Sequence, residues 1–550
     1  ITTLRARLDA DGLTTRVAAM DETAPDVFRA NWDTYDPVAR SAIGRLNTHT
    51  YGTSGRTGVR DIAKGAGIPL WMSEVDLGGS VGQSFTDMSP ALDLTRRVNE
   101  DFRELEPRAW VLWQAVEDYE NMTPDRENSN WGLIQTDFTP TDAATEPLRK
   151  NKKYWAMANY TRFVRPGARV INTDNADTFA ALRPAGRGTV VVHTNPTGEP
   201  QRLTLNLAGF QNVGTGAVQR YTTDGTKNLQ RESDLTPAGK TLTATVGAGS
   251  VTTFVLPAAT GVNVADTTDP TGAARQLLND NSGKALAVAT GDGRSTLVQR
   301  TSSPGTTAQQ WKFTKLAPAD RSNTAAYRIT SAVDGKALAA RGDSLALVAP
   351  GTSAAQRWML STTGDGHHTL VNATGGKLLD VTAESTSDGA PVGVHRPTTG
   401  ANQSWTFRSV APDTWTPLRV RHNGKCLDVS GASTADGARV VPYTCGGAAN
   451  QQWSLRSSGG GYVNVVARHS GKCLDVSGES TADGATVFQY TCNGGANQQW
   501  SVHRSPDGFT SLLARHSGKC LDASGSSAAD DADVVQHACV TAADQQFTTS

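Results

Sequence analysis

Six short triplets recur through the second half of the chain at a nearly constant interval, and that regularity narrows the fold more than any other feature. Trp311, Trp358, Trp405, Trp453, Trp500 and Phe547 stand 47, 47, 48, 47 and 47 residues apart. Each closes a Gln-x-aromatic triplet opened by Gln309, Gln356, Gln403, Gln451, Gln498 or Gln545. A fixed period of this size marks a repeat architecture, in which a unit completes its core only against its neighbours. A Gly-Lys-x-Leu segment stands near the front of the units, as at Gly424-Lys425-Cys426-Leu427. Three such units closing about a pseudo-threefold axis form a β-trefoil. Six units therefore predict two trefoils, over 272–411 and 412–550, meeting near Ser409 to Trp415.

The cysteines follow the same period. Cys426/Cys445, Cys473/Cys492 and Cys520/Cys539 are each 19 residues apart and sit at one phase of the repeat. Six cysteines allow about fifteen pairings, but only Cys426–Cys445, Cys473–Cys492 and Cys520–Cys539 treat three equivalent units equivalently. Each such loop stabilises by roughly 3 kcal/mol on a chain-entropy argument. An oxidising, extracellular setting follows, and with it a secreted protein. A metal reading is weaker, because no CxxC or His cluster accompanies these residues. No metal and no cofactor is expected.

At 550 residues the chain needs several cores. Its net charge of -1 argues against nucleic acid or an anionic membrane as partner. No run of eighteen apolar residues is present to span a bilayer. The first residues, Ile1-Thr2-Thr3, carry no basic or apolar leader, so any export signal is expected to be already removed or not included. A monomer is expected.

Residues 1–165 alternate between helical and strand-like patterns. Leu4 to Leu13, Thr57 to Lys64 and Pro90 to Leu105 read as helices, the last with Asp93 and Arg97 at i,i+4. Thr15 to Met20, Ser41 to Asn47, Pro69 to Asp76 and Arg108 to Gln114 read as strands. Such alternation predicts a parallel sheet with its loops on one side. A closed eight-stranded barrel needs about 250 residues, so the C-terminal half of a (β/α)8 barrel is expected, in a chain that begins after the first four strands. Residues 166–258 then alternate as short strands and predict a β-sandwich at the barrel's side, with a polar linker over 259–271. The fold class is multidomain, α/β plus all-β: a partial (β/α)8 barrel, a side β-sandwich and two β-trefoils.

One stretch in the barrel part stands out chemically. Leu70-Trp71-Met72-Ser73-Glu74 is an apolar strand ending on a carboxylate, at the end of a barrel strand where chemistry is done. Glu74 is the candidate nucleophile of a sugar-cleaving enzyme; a structural salt bridge is the competing reading. Glu22, His49 and Tyr51 also follow strands and are candidates to face the same cleft. Asp21 or Glu22 could equally cap a loop. Trp113 offers a stacking floor for a sugar ring, or else packs in the barrel core. Glu117 and Asp118 read as a solvated loop.

Two resemblances sharpen these expectations. Residues 271–550 resemble the ricin-type β-trefoil lectins, classed also as carbohydrate-binding module family 13, on the strength of the six triplets. That resemblance implies a sugar held by an Asp after the first Cys-Leu, an aromatic two residues before the second Cys, and an Asn or Asp beside the Gln. The implied sets are Asp428, Tyr443 and Asn450; Asp475, Tyr490 and Asn497; and Asp522, His537 and Asp544, taking galactose-type sugars. A carboxylate accepts hydroxyl bonds while an aromatic face covers the apolar side of the ring. In the first trefoil the Asp positions read Ala287, Ala339 and Asp380, leaving one pocket at most. The glutamines, recurring even where the Asp is absent, read as structural.

Residues 1–257 resemble glycoside hydrolase family 30, particularly its endo-β-1,6-galactanases. MDET at Met20–Thr23, NTHTYG at Asn47–Gly52, LWMSEVD at Leu70–Asp76 and WVLWQ at Trp110–Gln114 carry the likeness. NWGLIQTDF at Asn130–Phe138 and YWAMANYTRFVRPG at Tyr154–Gly167 extend it. It implies a retaining hydrolase of β-1,6-galactan or arabinogalactan with Glu74 as nucleophile. The family's acid/base Glu, set in Asn-Glu-Pro, has no match here. A lectin without catalysis, or a family 30 hydrolase of xylan or a β-glucoside, are the alternatives.

Overall fold

A computed structural model describes the chain apart from residues 79–80, 263–269, 292–293, 318–324, 364–365, 411–413, 460–461, 506, 524–529, 531, 541 and 549–550. The N-terminal part runs α1 (Thr2–Ala10), β1 (Val17–Glu22), α2 (Pro25–Trp32), α3 (Pro37–Ala42), β2 (Ile43–His49), α4 (Arg56–Ala66), β3 (Leu70–Glu74) and α5 (Ser89–Glu104). The three strands lie in sequence order and parallel, an arc of a (β/α)8 barrel. Phe28 and Trp32 of α2, with Val59 and Ile62 of α4, pack against Ile43, Leu46, Leu70 and Met72 of the strands. α4 stops at Gly67, whose left-handed φ of 64° lets its N–H reach the carbonyl of Lys64. Pro69 then opens the short path into β3.

Several sequence expectations shift here. Ser41 and Ala42 belong to α3, because Pro37 starts a helical turn that Asp36 caps through the Ala39 N–H. Arg97 does not pair with Asp93: Arg96 does, at 3.2 Å, while Arg97 donates to the Thr50 carbonyl. The expected strand at Arg108 to Gln114 is irregular. Its backbone alternates bonds with β3 and the residue beyond (Arg108 N to Leu70 O, Met72 N to Ala109 O, Trp113 N to Val75 O) without forming a continuous ladder. The chain then leaves the barrel for a separate small sheet of β4 (Val116–Asp118), β5 (Ile134–Thr136) and β6 (Arg149–Lys150). Glu117 and Asp118 therefore lie on a strand, with Glu117 accepting the Gln114 amide.

After α6 (Lys152–Thr161) the chain forms a six-stranded sheet with Ser250–Leu256 and Thr189–Asn195 at its centre. Both central strands are buried along their whole length. One face meets α5 and α6 through Leu94, Val98, Ala156 and Tyr160; the other meets two short ladders through Leu242, Val246 and Phe210. Residues 259–262 of the expected linker are a strand paired with Phe210–Val213, which closes the sandwich. Residues 263–269 of that linker lie outside the described residues.

Each trefoil is one twelve-stranded sheet system closed on itself. Trp311, Trp358 and Trp405 fill the first core, and Trp453, Trp500 and Phe547 the second, all essentially without exposure. Every indole also has a bond to make: Trp311, Trp358, Trp405, Trp453 and Trp500 donate to the carbonyls of Leu286, Leu338, Leu379, Leu427 and Leu474. The three disulfides join the cysteines within each unit. Lys425, Lys472 and Lys519 pair with Asp530, Asp436 and Asp483 at 2.6–2.7 Å, each tying one unit to the preceding one around the ring.

The first trefoil is pressed onto α4. Asp61 accepts from Thr369 at 2.8 Å, and Lys64 donates to the Leu360 carbonyl and to Ser361. A Cβ placed on Gly65 would come within 2.3 Å of the Gly376 Cα, so this contact requires glycine. The second trefoil reaches the sandwich through Tyr462, whose hydroxyl donates to Asp174 at 2.9 Å.

Candidate active site and sugar-binding pockets

Glu74 ends β3, half-buried, and accepts a hydrogen bond from the Tyr51 hydroxyl at 3.1 Å. His49, at the end of β2, places Nδ1 3.7 Å from the same carboxylate and Nε2 3.3 Å from Asp21. Ser73 donates to Asp21 at 2.6 Å. The strand ends thus bring Asp21, His49, Tyr51 and Glu74 together. Burial, aided by the bond to Glu74 and its charge, pushes the Tyr51 hydroxyl up to about 12. Tyr51 therefore stays a proton donor toward Glu74 at neutral pH.

Glu22 is directed elsewhere. Its carboxylate accepts the Asn31 amide from α2 at 3.0 Å, and the carboxylate that joins His49 belongs to Asp21. Adjacent strand residues point to opposite faces, and the register shift between Met20 and Glu22, with Asp21 at φ 63°, decides which of the two turns inward. Trp113 is 52% exposed, so it does not pack in the core; that role falls to Trp110, partly buried there with its indole bonded to Asp101.

Sequence reading missed the groups that brace this site. Asp101, fully buried on α5, accepts from Thr50, Trp110 and Arg56 at 2.8–3.1 Å and so fixes the turn that carries Tyr51. Asp76, just past Glu74, pairs at 3.3 Å with the fully buried Lys153 of α6, which also donates to the Leu77 carbonyl at 2.7 Å. Burial raises the Asp76 carboxyl and lowers the Lys153 ammonium, each opposed by the other's charge. The sequence signal was the Lys152-Lys153 pair that opens α6.

In the second trefoil Asp428 receives the Asn450 amide at 3.0 Å on one oxygen and the Gln451 amide at 2.8 Å on the other. Asp475 receives Asn497 and Gln498 at 3.0 and 2.7 Å. Tyr443 and Tyr490 stand beside them 46% and 40% exposed. In the first trefoil Asn402 and Gln403 hold Asp380, both donating to the same oxygen at 2.9 Å. Burial raises Asp380, Asp428 and Asp475 above the usual carboxylate range, and these amides pull the other way. A buried, oriented carboxylate beside an open aromatic face is suited to a hydroxylated ring. The glutamines tie the loop together in every unit: Gln309 and Gln356, which lack an Asp partner, bond the Thr301 and Ala349 carbonyls and the Ser303 and Gly351 N–H groups. Where an Asp is present the same amide also orients it, a second duty that spacing alone did not reveal.

Comparison with known proteins fits both halves. Over 476 residues, 74% of this chain, it is 29% identical to an exo-β-1,6-galactobiohydrolase of Bifidobacterium longum, covering 31% of that protein. It is 28% identical to an endo-β-1,6-galactanase of Hypocrea rufa, over 46% of this chain and 49% of that one. With glucuronoxylanase XynC of Bacillus subtilis it shares 31% identity, over 40% of this chain and 48% of that enzyme. The chain thus spans between a third and a half of the length of these relatives. A model of ricin-type beta-trefoil lectin domain-like sequences matches residues 263–346, 319–395, 401–490, 449–537 and 496–550, more than half of the chain. Joined to a part that resembles family 30 glycoside hydrolases, these repeats make the chain a member of the ricin-type β-trefoil lectin domain-like family.

Proposed function

We propose that this chain is the nucleophile-bearing and sugar-gripping portion of a secreted retaining glycoside hydrolase that cleaves β-1,6-galactan, as in plant arabinogalactan. The observation that carries the reading is Glu74 at the mouth of the parallel strands, bonded by Tyr51 and flanked by His49. Exposed Trp113 would supply a stacking surface, and the trefoil pockets would hold galactose-type sugars and keep the protein on its polymer. Several weak pockets on one chain raise apparent affinity through effective concentration. The disulfides support an extracellular setting.

A retaining mechanism pairs the nucleophile with a second carboxyl about 5–5.5 Å away. No Asn-Glu-Pro segment occurs in the 550 residues. Asp428 and Asp475, each oriented by two amides beside exposed Tyr443 and Tyr490, favour a second reading, sugar binding without turnover. Incubation with β-1,6-galactan separates the two: oligosaccharide release that disappears in Glu74→Gln supports the hydrolase. Absence of release from the unaltered chain leaves the lectin, and release undiminished in Glu74→Gln removes Glu74 from the chemistry.

A further inference from the structure

The pseudo-symmetry of the trefoils supplies an internal comparison, and one pocket departs from it. In three pockets an asparagine stands before the triplet glutamine and donates its amide twice. Asn450 donates to Asp428 and to the Val429 carbonyl, Asn497 to Asp475 and the Val476 carbonyl, Asn402 to Asp380 and the Val381 carbonyl. The remaining pocket has Asp544 at that place, and a carboxylate cannot donate either bond. Among the described residues Asp522 receives the Gln545 amide, at 2.8 Å, and no second amide. One Asp544 oxygen is buried with no hydrogen-bond partner, as are the side-chain oxygens of Asn402 and Asn497, but in Asp544 that buried atom belongs to a carboxylate. The nearby Asp544 charge works against ionisation of Asp522, in addition to burial. The pocket therefore holds two carboxylates where its equivalents hold one carboxylate and one amide.

His537 replaces the tyrosine here, but it does not explain the difference: His395 fills the same place beside Asp380, where Asn402 keeps the ordinary bonds. When charged, His422 and His537 favour ionised Asp522, but His469 and His516 do the same for Asp428 and Asp475, and His537 also lies 4.0 Å from Asp483, so they do not offset the added Asp544 carboxylate. Among the described residues no group of three His, Cys, Asp or Glu side chains is placed to hold a metal ion. What complements two carboxylates at the wall of a sugar pocket is a ligand that brings its own cation and hydrogen-bond donors.

We infer that the Asp522 pocket selects a sugar bearing a protonated amine, with Asp544 as the residue that sets this preference. The inference rests on the reading of the trefoil pockets as sugar sites. An ammonium donates charge-assisted bonds to both carboxylates, whereas a neutral hydroxyl in the same place relieves no repulsion.

The test uses the full chain with Asp380→Ala, Asp428→Ala and Asp475→Ala, which leaves one pocket, titrated calorimetrically with galactosamine and with galactose in mildly acidic buffer. Galactosamine is expected to bind about tenfold more tightly, the difference between a charge-assisted and a neutral bond. Adding Asp544→Asn should abolish that preference. Equal affinity for the two sugars, a preference that survives Asp544→Asn, or heat from calcium chloride that vanishes in that variant would each overturn the proposal. Should the multiple variant not fold, Asn497→Asp alone should give the Asp475 pocket a new preference for galactosamine, and no such gain contradicts the assignment. Failure of the sugar-site reading itself looks different: the unaltered chain would then bind neither sugar.

Discussion

The first trefoil contains no cysteine, keeps an aspartate at one of its three candidate positions and lies against α4; the second has three disulfides, an aspartate at all three positions and a bond to the sandwich through Tyr462. Their cores are nevertheless built alike, around three buried aromatics and closing strands. The difference teaches where each module finds its stability and what that leaves free. Buried Arg60 and Asp61 on α4, with Asp61 bonded to Thr369, and the Gly65–Gly376 contact make the first trefoil part of a larger packed body. The second closes its own loops covalently, and Tyr443, Tyr490 and His537 stand exposed on it.

Breaking the disulfides should separate the two most strongly. On a chain-entropy argument each loop contributes roughly 3 kcal/mol, so reductant is expected to accelerate amide hydrogen exchange throughout the strands of 412–550 while those of 272–410 keep their protection. Equal loss of protection in both would show that they unfold together.

The reciprocal disruption is Asp61→Ala. It removes the 2.9 Å partner of buried Arg60, which keeps Thr369 at 3.2 Å and Glu106 at 3.9 Å, and it removes the acceptor for Thr369, a cost of about 1.5–3 kcal/mol for a lost hydrogen bond to a charged group. Denaturant unfolding should show that loss, with faster exchange at α4 and 367–372 and none added in 412–550. No change in unfolding would mean that the first trefoil is not anchored there.

A smaller effect sharpens the functional side of the contrast. Because burial holds Asp428 and Asp475 above the ordinary carboxylate pKa, near about 3.9, they lose charge earlier on acidification. Sugar binding should be fully present near neutrality and decline as pH falls through these raised values, roughly fivefold by the time both are protonated. Affinity that holds flat down to the unperturbed carboxylate range would contradict a role for these carboxylates as hydroxyl acceptors.

The trefoils were legible in the sequence because one period fixes core, turn and disulfide together: Trp453, Gln451 and Cys426 cannot move independently. The barrel arc was legible through its apolar strands, and Glu74 through its place at the end of one. Less readable were features decided by tertiary partners. Which of Asp21 and Glu22 faces His49 depends on a one-residue irregularity in β1. Arg97 leaves Asp93 because the Thr50 carbonyl lies within its reach. The segment after Arg108 has the residues of a strand and bonds β3 and Val75 as far as Trp113, but its ladder is interrupted before the chain enters another sheet at Val116. Residues 259–262 looked like linker because a short strand at the rim of a sandwich needs few large side chains.

The most direct measurement of the account is calorimetric titration of galactose into the full chain and into a variant carrying Asp428→Ala, Asp475→Ala and Asp522→Ala together. The account predicts saturable binding by the unaltered chain and its loss in the variant, save for a residue of binding at the Asp380 pocket. An isotherm unchanged by the three substitutions would place sugar recognition outside the second trefoil and contradict the account.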